Sequence, residues 1–208
     1  MSQIFVTGIS TEVGKTMASA VLVEAMQADY WKPVQAGDLD DSDSDKVRDL
    51  ISNTRTVIHP NAYALHTPMS PHAAAEKDGI LIALDRIVPP STDNHLVIEG
   101  AGGLLVPLNQ SDTILDLIQP HYRVVVVSRH YLGSINHTLL TVNALQLRGI
   151  NPFLLYSGDP HPTTESIIES RTNLPVLGRI EEQADFTKEK VKTLSTSLRP
   201  ALEFYGFL

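Results

Sequence analysis

The chain has 208 residues, a formal net charge of −8 and no cysteine. That length suits one α/β domain with an adequate core, and two full domains are not expected. The acidic balance argues against nucleic-acid and anionic-membrane partners, and the missing cysteine excludes disulfides, thiolate nucleophiles, Fe–S ligation and Cys-based zinc sites.

From the N-terminus, Met1-Ser2-Gln3 leads straight into the apolar run Ile4-Phe5-Val6-Thr7, which reads as a strand. No signal core fits before it and no later run approaches membrane-spanning length, so the cytoplasm is the expected compartment. Gly8 to Thr16 follows as a glycine-bounded loop ending in Gly14-Lys15-Thr16, and Met17 to Ala28 reads as a helix. Strand, glycine loop and helix together form the context of a phosphate-binding loop. Backbone N–H groups and the helix N-terminus offer positive charge to phosphates, Lys15 reaches the terminal phosphates, and the Thr16 hydroxyl can ligand Mg²⁺. Five residues, not the usual four, separate the two glycines.

Tyr30 to Val34 reads as a second strand interrupted by Pro33, followed by an acidic loop from Gln35 to Asp45. Its last Ser44-Asp45 pair is a candidate N-cap for a helix over Lys46 to Ile51. Thr56 to Asn61 is a further extended piece; Thr67 to His72 is a proline-set turn with a helix starting at Ala73, and Ile80 to Val88 is expected to be helical. The apolar strand at His95 to Glu99 ends in a carboxylate and Gly100-Ala101-Gly102-Gly103. Asp112 to Ile118 is expected as a helix stopped by Pro120. Arg123 to Val127 has the continuous β-branched pattern of a buried parallel strand. Leu132 to Asn136 turns into a helix through Leu147. Strands at Phe153 to Tyr156 and Val176 to Gly178 flank a helix over Thr163 to Arg171, and a helix over Thr187 to Phe204 closes the series. This alternation predicts a single-domain, doubly wound, mostly parallel sheet of the P-loop NTPase kind. Ligands of such sheets sit at the carboxyl ends of the strands, where Gly8, Lys32, Glu99 and Ser128 emerge.

Glu99 is the candidate carboxylate to face the cation that Thr16 holds, and the glycines after it let backbone approach phosphates. Asp45 is a candidate further ligand, in competition with Asp38, Asp40, Asp41 and Asp43. Lys32 is placed to neutralise an anionic substrate group or a transferring phosphoryl. The eight histidines form no close-set metal pattern, and capping alone accounts for Ser134 and Asn136 at a helix start.

These motifs resemble the dethiobiotin synthetase family. The matching stretches are Val6-Thr7-Gly8 through Glu12 to Thr16 with its five-residue gap, Lys32-Pro33-Val34, Ser44-Asp45, Ser70-Pro71-His72, Val97 to Gly103, and Leu132 to His137, in the family's order. The resemblance implies that CO₂ adds to 7,8-diaminopelargonic acid, ATP phosphorylates the carbamate, and the second amine closes the ring. It implies catalytic roles for Lys15, Lys32 and Thr11. Glu12, Val13, Gly14, Lys15, Thr16, Met17, Asp45, Glu99 and Gly100-Ala101-Gly102 are implied around the nucleotide. Mg²⁺ is implied on Thr16, Asp45 and Glu99. Ser134 and Asn136, with Lys32, are implied as substrate contacts, the first two reaching across a homodimer.

Two departures stand out. Ala36 occupies a position where the family usually has a hydroxyl residue. Tyr156-Ser157-Gly158-Asp159-Pro160 and Glu181-Glu182-Gln183 replace the family's adenine-reading segments, which makes relaxed base selectivity an expectation. The competing reading is a regulatory or partitioning ATPase of the same fold acting through a protein partner. Such proteins carry an extra lysine early in the loop, where this chain has Ile9 and Ser10. A module that has lost catalysis is a third reading, against which Lys15, Thr16, Lys32 and Glu99 together speak.

Overall fold

The computed structural model describes residues 1–208. Its elements are β1 (Gln3–Gly8), α1 (Lys15–Met26), β2 (Asp29–Trp31), β3 (Val34–Ala36), α2 (Asp43–Leu50), β4 (Ile58–His59), β5 (Tyr63–Leu65) and α3 (Pro71–Asp78). They continue through β6 (Leu96–Gly103), β7 (Arg123–Arg129), α4 (Ser134–Gln146), β8 (Phe153–Ser157), α5 (Pro162–Thr172), β9 (Val176–Ile180) and α6 (Lys188–Phe204). Seven strands form one sheet in the order β4-β2-β6-β1-β7-β8-β9, and every pair in it is parallel. The doubly wound parallel sheet expected from the alternation is present.

β1 lies at the centre, with Phe5 opposite both Ile98 of β6 and Val124 of β7. Ile4, Phe5 and Val6 are closed to solvent, as are Val124 to Val127, which is why these strands read as unbroken apolar runs. α1 and α6 pack together on one face and α4 and α5 on the other. The two directions of winding part at β1, so its carboxyl end opens into a crevice. On the far side of the sheet Arg123 donates to the Tyr205 and Gly206 carbonyls and lies 3.9 Å from the Phe207 ring centroid.

Several expectations change. Pro33 divides the second strand: β2 stays in the main sheet, while β3 leaves it to pair with β5, a strand that the sequence did not announce. Ile80 to Val88 holds only a 3-10 turn at Leu84–Arg86, because Gly79 caps α3 in a left-handed conformation and Pro89 and Pro90 follow at once. The helix expected over Asp112 to Ile118 is likewise one 3-10 turn, Ile114–Leu117, held by a Thr113/Asp116 capping box. α2 starts three residues early, at Asp43, with Ser42 as its N-cap. β6 runs on through the glycines to Gly103.

Candidate active site

The loop between β1 and α1 bends back over the sheet and presents the helix N-terminus to the crevice. Gly14 sits there at φ 89°, and a Cβ on it would lie 2.6 Å from Ser157 Oγ at the end of β8. Only glycine combines that backbone with that approach. Lys15 turns under the loop, buried, and its Nζ donates to the Ser10 carbonyl at 3.0 Å. Burial, with Lys32 nearby, lowers its pKa to about 8 against the opposing pull of Glu99 and Asp43.

Beneath the loop three oxygen-bearing side chains meet. Thr16 Oγ1 lies 2.8 Å from Asp43 Oδ1 and 3.0 Å from Glu99 Oε1. Lys32 comes from the end of β2 and bridges the same two carboxylates, 3.0 Å from Glu99 Oε1 and bonded to Asp43 Oδ2. Burial opposes the charged form of Lys32, but Glu99 and Asp43 outweigh it and hold its pKa above the ordinary lysine value. Burial likewise opposes the Asp43 charge, and Lys32 and Thr16 reverse that, leaving its pKa lowered. The fully buried Tyr30 hydroxyl completes the group, donating to Glu99 Oε2 at 2.9 Å; burial and then Glu99 push its pKa well up, so it stays a donor.

These groups open onto a cleft of about 780 Å³. Thr11, Glu12, Gly14, Lys15, Thr16, Met17, Lys32, Asp43, Glu99, Ala101 and Gly102 line it. Val13 is buried behind the loop, and Gly100 faces Ile114 and Phe5, so neither lines it. The far wall is β3 and the Pro68 to Pro71 turn. Gly37 packs on Pro68 there so closely that a Cβ would sit 2.5 Å away, and Ala36 faces the opening. Ser134 is buried at the start of α4 and Asn136 is exposed on it, both outside this cleft.

Asp45 is not part of the group. It occupies the N3 position of α2, where its Oδ2 accepts from the Ser42 hydroxyl at 2.6 Å and the Ser42 N–H at 3.1 Å, and its other oxygen pairs with Arg48. Its carboxylate is engaged in the helix cap; Asp43, two residues earlier at the start of α2, takes the place expected for it. The oxygen-only set of Thr16, Asp43 and Glu99 is the donor type that a hard divalent cation takes, while no group of three His, Cys, Asp or Glu is placed to hold a metal ion.

A family model described as an AAA domain matches residues 2–190. Over 199 residues the chain is 56% identical to a protein of Christiangramia forsetii named ATP-dependent dethiobiotin synthetase, covering 95% of this chain and 96% of that one. This chain belongs to the dethiobiotin synthetase family. It is also 47% identical to the dethiobiotin synthetase of Cytophaga hutchinsonii, over 95% of this chain and 97% of the relative. Among solved structures, the MinC:MinD cell division protein complex of Aquifex aeolicus matches with a TM-score of 0.59 over 99% of this chain and 96% of that one. At 12% identity that likeness is of fold alone, so the switch-ATPase reading gains nothing beyond the shared architecture.

Dethiobiotin synthetase membership makes the chain an ATP-dependent ligase and sharpens two features of the crevice. At its far end Arg129 closes on Glu182 at 2.7 Å, and Arg179 donates to the Gly158 carbonyl at 3.0 Å. These are the segments where the base-reading residues were missing from the sequence. Tyr30, Arg129 and Glu182 were not singled out in the sequence. A tyrosine in a short apolar strand looks like core, and an arginine and a glutamate far apart in the chain give no sign that they meet.

Proposed function

We propose that residues 1–208 act as one catalytic domain that forms dethiobiotin from 7,8-diaminopelargonic acid, CO₂ and ATP. The observation that carries this reading is the convergence of Lys32, Thr16 and Glu99 under a phosphate loop that shares its cleft with β3 and the Pro68 to Pro71 turn. A nucleotide and a small second substrate can then meet at one lysine. One substrate amine attacks CO₂ and loses a proton to give a carbamate, whose negative charge Lys32 offsets. The carbamate oxygen takes the γ-phosphoryl group as its bond to the β-phosphate oxygen breaks and ADP leaves, while Lys15 offsets charge on the transferring oxygens. The second amine then attacks the carbamoyl carbon, the ring closes and phosphate leaves. Thr11 and Glu12 stand at the cleft's edge beside the reacting groups.

Thr16, Asp43 and Glu99 would hold Mg²⁺, which when bound offsets charge on the β- and γ-phosphate oxygens. The acidic overall charge gives no basis for a nucleic-acid partner, and no helix is long and apolar enough to cross a membrane. A homodimer is part of the same reading. Asn136 and Leu140 lie one turn apart on the exposed side of α4, and Leu132, Ile135 and Leu105 are exposed beside them. A second copy seated there brings Ser134 and Asn136 to its partner's substrate.

The test is ADP release with Mg²⁺-ATP and bicarbonate, with and without the diamine, and dethiobiotin detected by mass. Product that requires every component supports the assignment. ATP turnover that ignores the diamine and yields no dethiobiotin sinks it and returns the switch-ATPase reading.

A further inference from the structure

Glu99 divides its two carboxylate oxygens between two environments. Oε1 faces the cleft, where Lys32 donates to it at 3.0 Å and Thr16 Oγ1 lies 3.0 Å away. Oε2 is turned into the sheet and takes the Tyr30 hydroxyl at 2.9 Å. Glu99 is 1% exposed and Tyr30 is fully buried, so water does not compete for either. β2 runs beside β6 with Tyr30 opposite Val97, and the alternation of a strand puts Tyr30 and Lys32 on the same side. One short stretch thus supplies both the donor behind Glu99 and the cation in front of it. A buried phenol oxygen needs a partner, and here its partner is the carboxylate.

We propose that Tyr30 is a positioning and specificity-determining residue: it locks Glu99 so that a single oxygen reaches the cleft, which favours Mg²⁺ over Ca²⁺. The inference rests on the Mg²⁺ reading given above. An O–H donor on an ionised carboxylate makes one of the stronger hydrogen bonds available to a protein. It also fixes the last torsion of the glutamate, which is otherwise broad. Mg²⁺ keeps a near-octahedral shell of few carboxylate oxygens and several waters, whereas Ca²⁺ takes six to eight oxygens and accepts bidentate carboxylates readily. A Glu99 held at Oε2 cannot turn both oxygens to the cation. Without the hydroxyl it can.

The experiment follows Mn²⁺ binding in the presence of ADP by electron paramagnetic resonance, with Mg²⁺ and Ca²⁺ as competitors. It uses the wild type, Tyr30→Phe, Glu99→Gln and the double variant. Tyr30→Phe is expected to weaken Mg²⁺ by about 10- to 100-fold, the usual effect of losing an outer-shell partner. Ca²⁺ is expected to lose less, so the Mg²⁺ preference falls. Tyr30→Phe adds nothing further in the Glu99→Gln background, because the two act as one unit; a purely structural role would add independently. An unchanged preference, or additive losses, overturns the proposal while leaving the metal site standing. Retention of full Mn²⁺ binding by Glu99→Gln overturns the metal site itself, and the proposal with it. A further check needs only the wild type: the separation of the carboxylate stretching bands in infrared difference spectra. A single-oxygen signature for Glu99 with Mg²⁺ supports the lock, and a two-oxygen signature overturns it even if Tyr30→Phe does not fold.

Discussion

Lys32 Nζ lies 3.0 Å from Glu99 Oε1, and both side chains are closed to solvent. With Asp43 on its other side, this lysine is the counter-charge of two carboxylates and also lines the cleft. Lys32→Ala is therefore expected to abolish dethiobiotin formation and to cost about 3–5 kcal/mol of stability, because it strands buried negative charge. Added Mg²⁺ is expected to raise the melting temperature of the variant more than that of the wild type. A variant as stable as the wild type, with or without the cation, contradicts this account.

Asp43 and Asp45 separate function from folding. Asp45→Ala removes a capping box and is expected to cost about 1 kcal/mol in urea denaturation while leaving turnover within a few-fold. Asp43→Asn is expected to keep the cap and lose turnover by about 10-fold or more, since it withdraws charge from both Thr16 and Lys32. Steady-state rates alongside denaturation curves check both, and a reversed pattern would restore Asp45 to the site.

Asp29 is one source of acid sensitivity away from the cleft. It is buried and takes hydrogen bonds from Thr92 at 2.6 Å, the Val57 N–H at 3.0 Å and Asn94 at 3.1 Å, with His59 at 3.1 Å. Burial alone would raise its pKa, but these bonds outweigh it and the value is lowered from the ordinary 3.8. A depressed folded-state value stabilises the protein above the unfolded value, and that stabilisation is lost as pH falls through the folded one. Asp29→Asn is thus expected to be less stable than the wild type at pH 7, with the gap shrinking below the ordinary aspartate range. Urea midpoints measured from pH 7 to pH 3 decide it.

Base selectivity should be weak. Ser157, Gly158 and Glu182 stand where an Asn-Asp pair and an apolar turn were expected, and the Arg129–Glu182 ion pair is partly exposed. CTP and GTP are expected to support product within about tenfold of ATP, a difference of about 1.4 kcal/mol. Activity with ATP alone would show that these segments read adenine by other means.

Adding a methyl group at Gly14 tests the loop. Gly14→Ala meets Ser157 Oγ at 2.6 Å on a backbone at φ 89°, so nucleotide affinity is expected to fall by about tenfold or more. Pairing it with Ser157→Gly relieves the contact but not the backbone conformation, and partial recovery in a calorimetric titration is the expected result.

The expectations from the sequence succeeded where one residue pattern had one physical meaning. The β-branched run at Val124 to Val127 and the strand, glycine loop and helix around Lys15 allow little else. They failed where a pattern repeats. Ser42-Asp43-Ser44-Asp45 contains two equivalent capping signals, and only tertiary packing shows that the first is used, which moves the site carboxylate from Asp45 to Asp43. The run from Ile80 to Val88 has helical residues, but a glycine cap before it and two prolines after it leave no length for more than one turn. Tyr30 escaped notice because its role lies in a single bond across two strands.

The central place of β1 has a consequence for how the molecule is made. Ile4 pairs with Val97 on one side and Arg123 on the other, so the strand that carries the phosphate loop is translated long before either neighbour exists. Its apolar residues wait without β6 for nearly half of the 208 residues, and without β7 for more than half. Closing the sheet then requires contacts of very long sequence separation, the kind that fold slowly and leave strand edges open to wrong partners. In a growing chain the phosphate loop is written ahead of both strands that hold it in place, so its final shape waits on them.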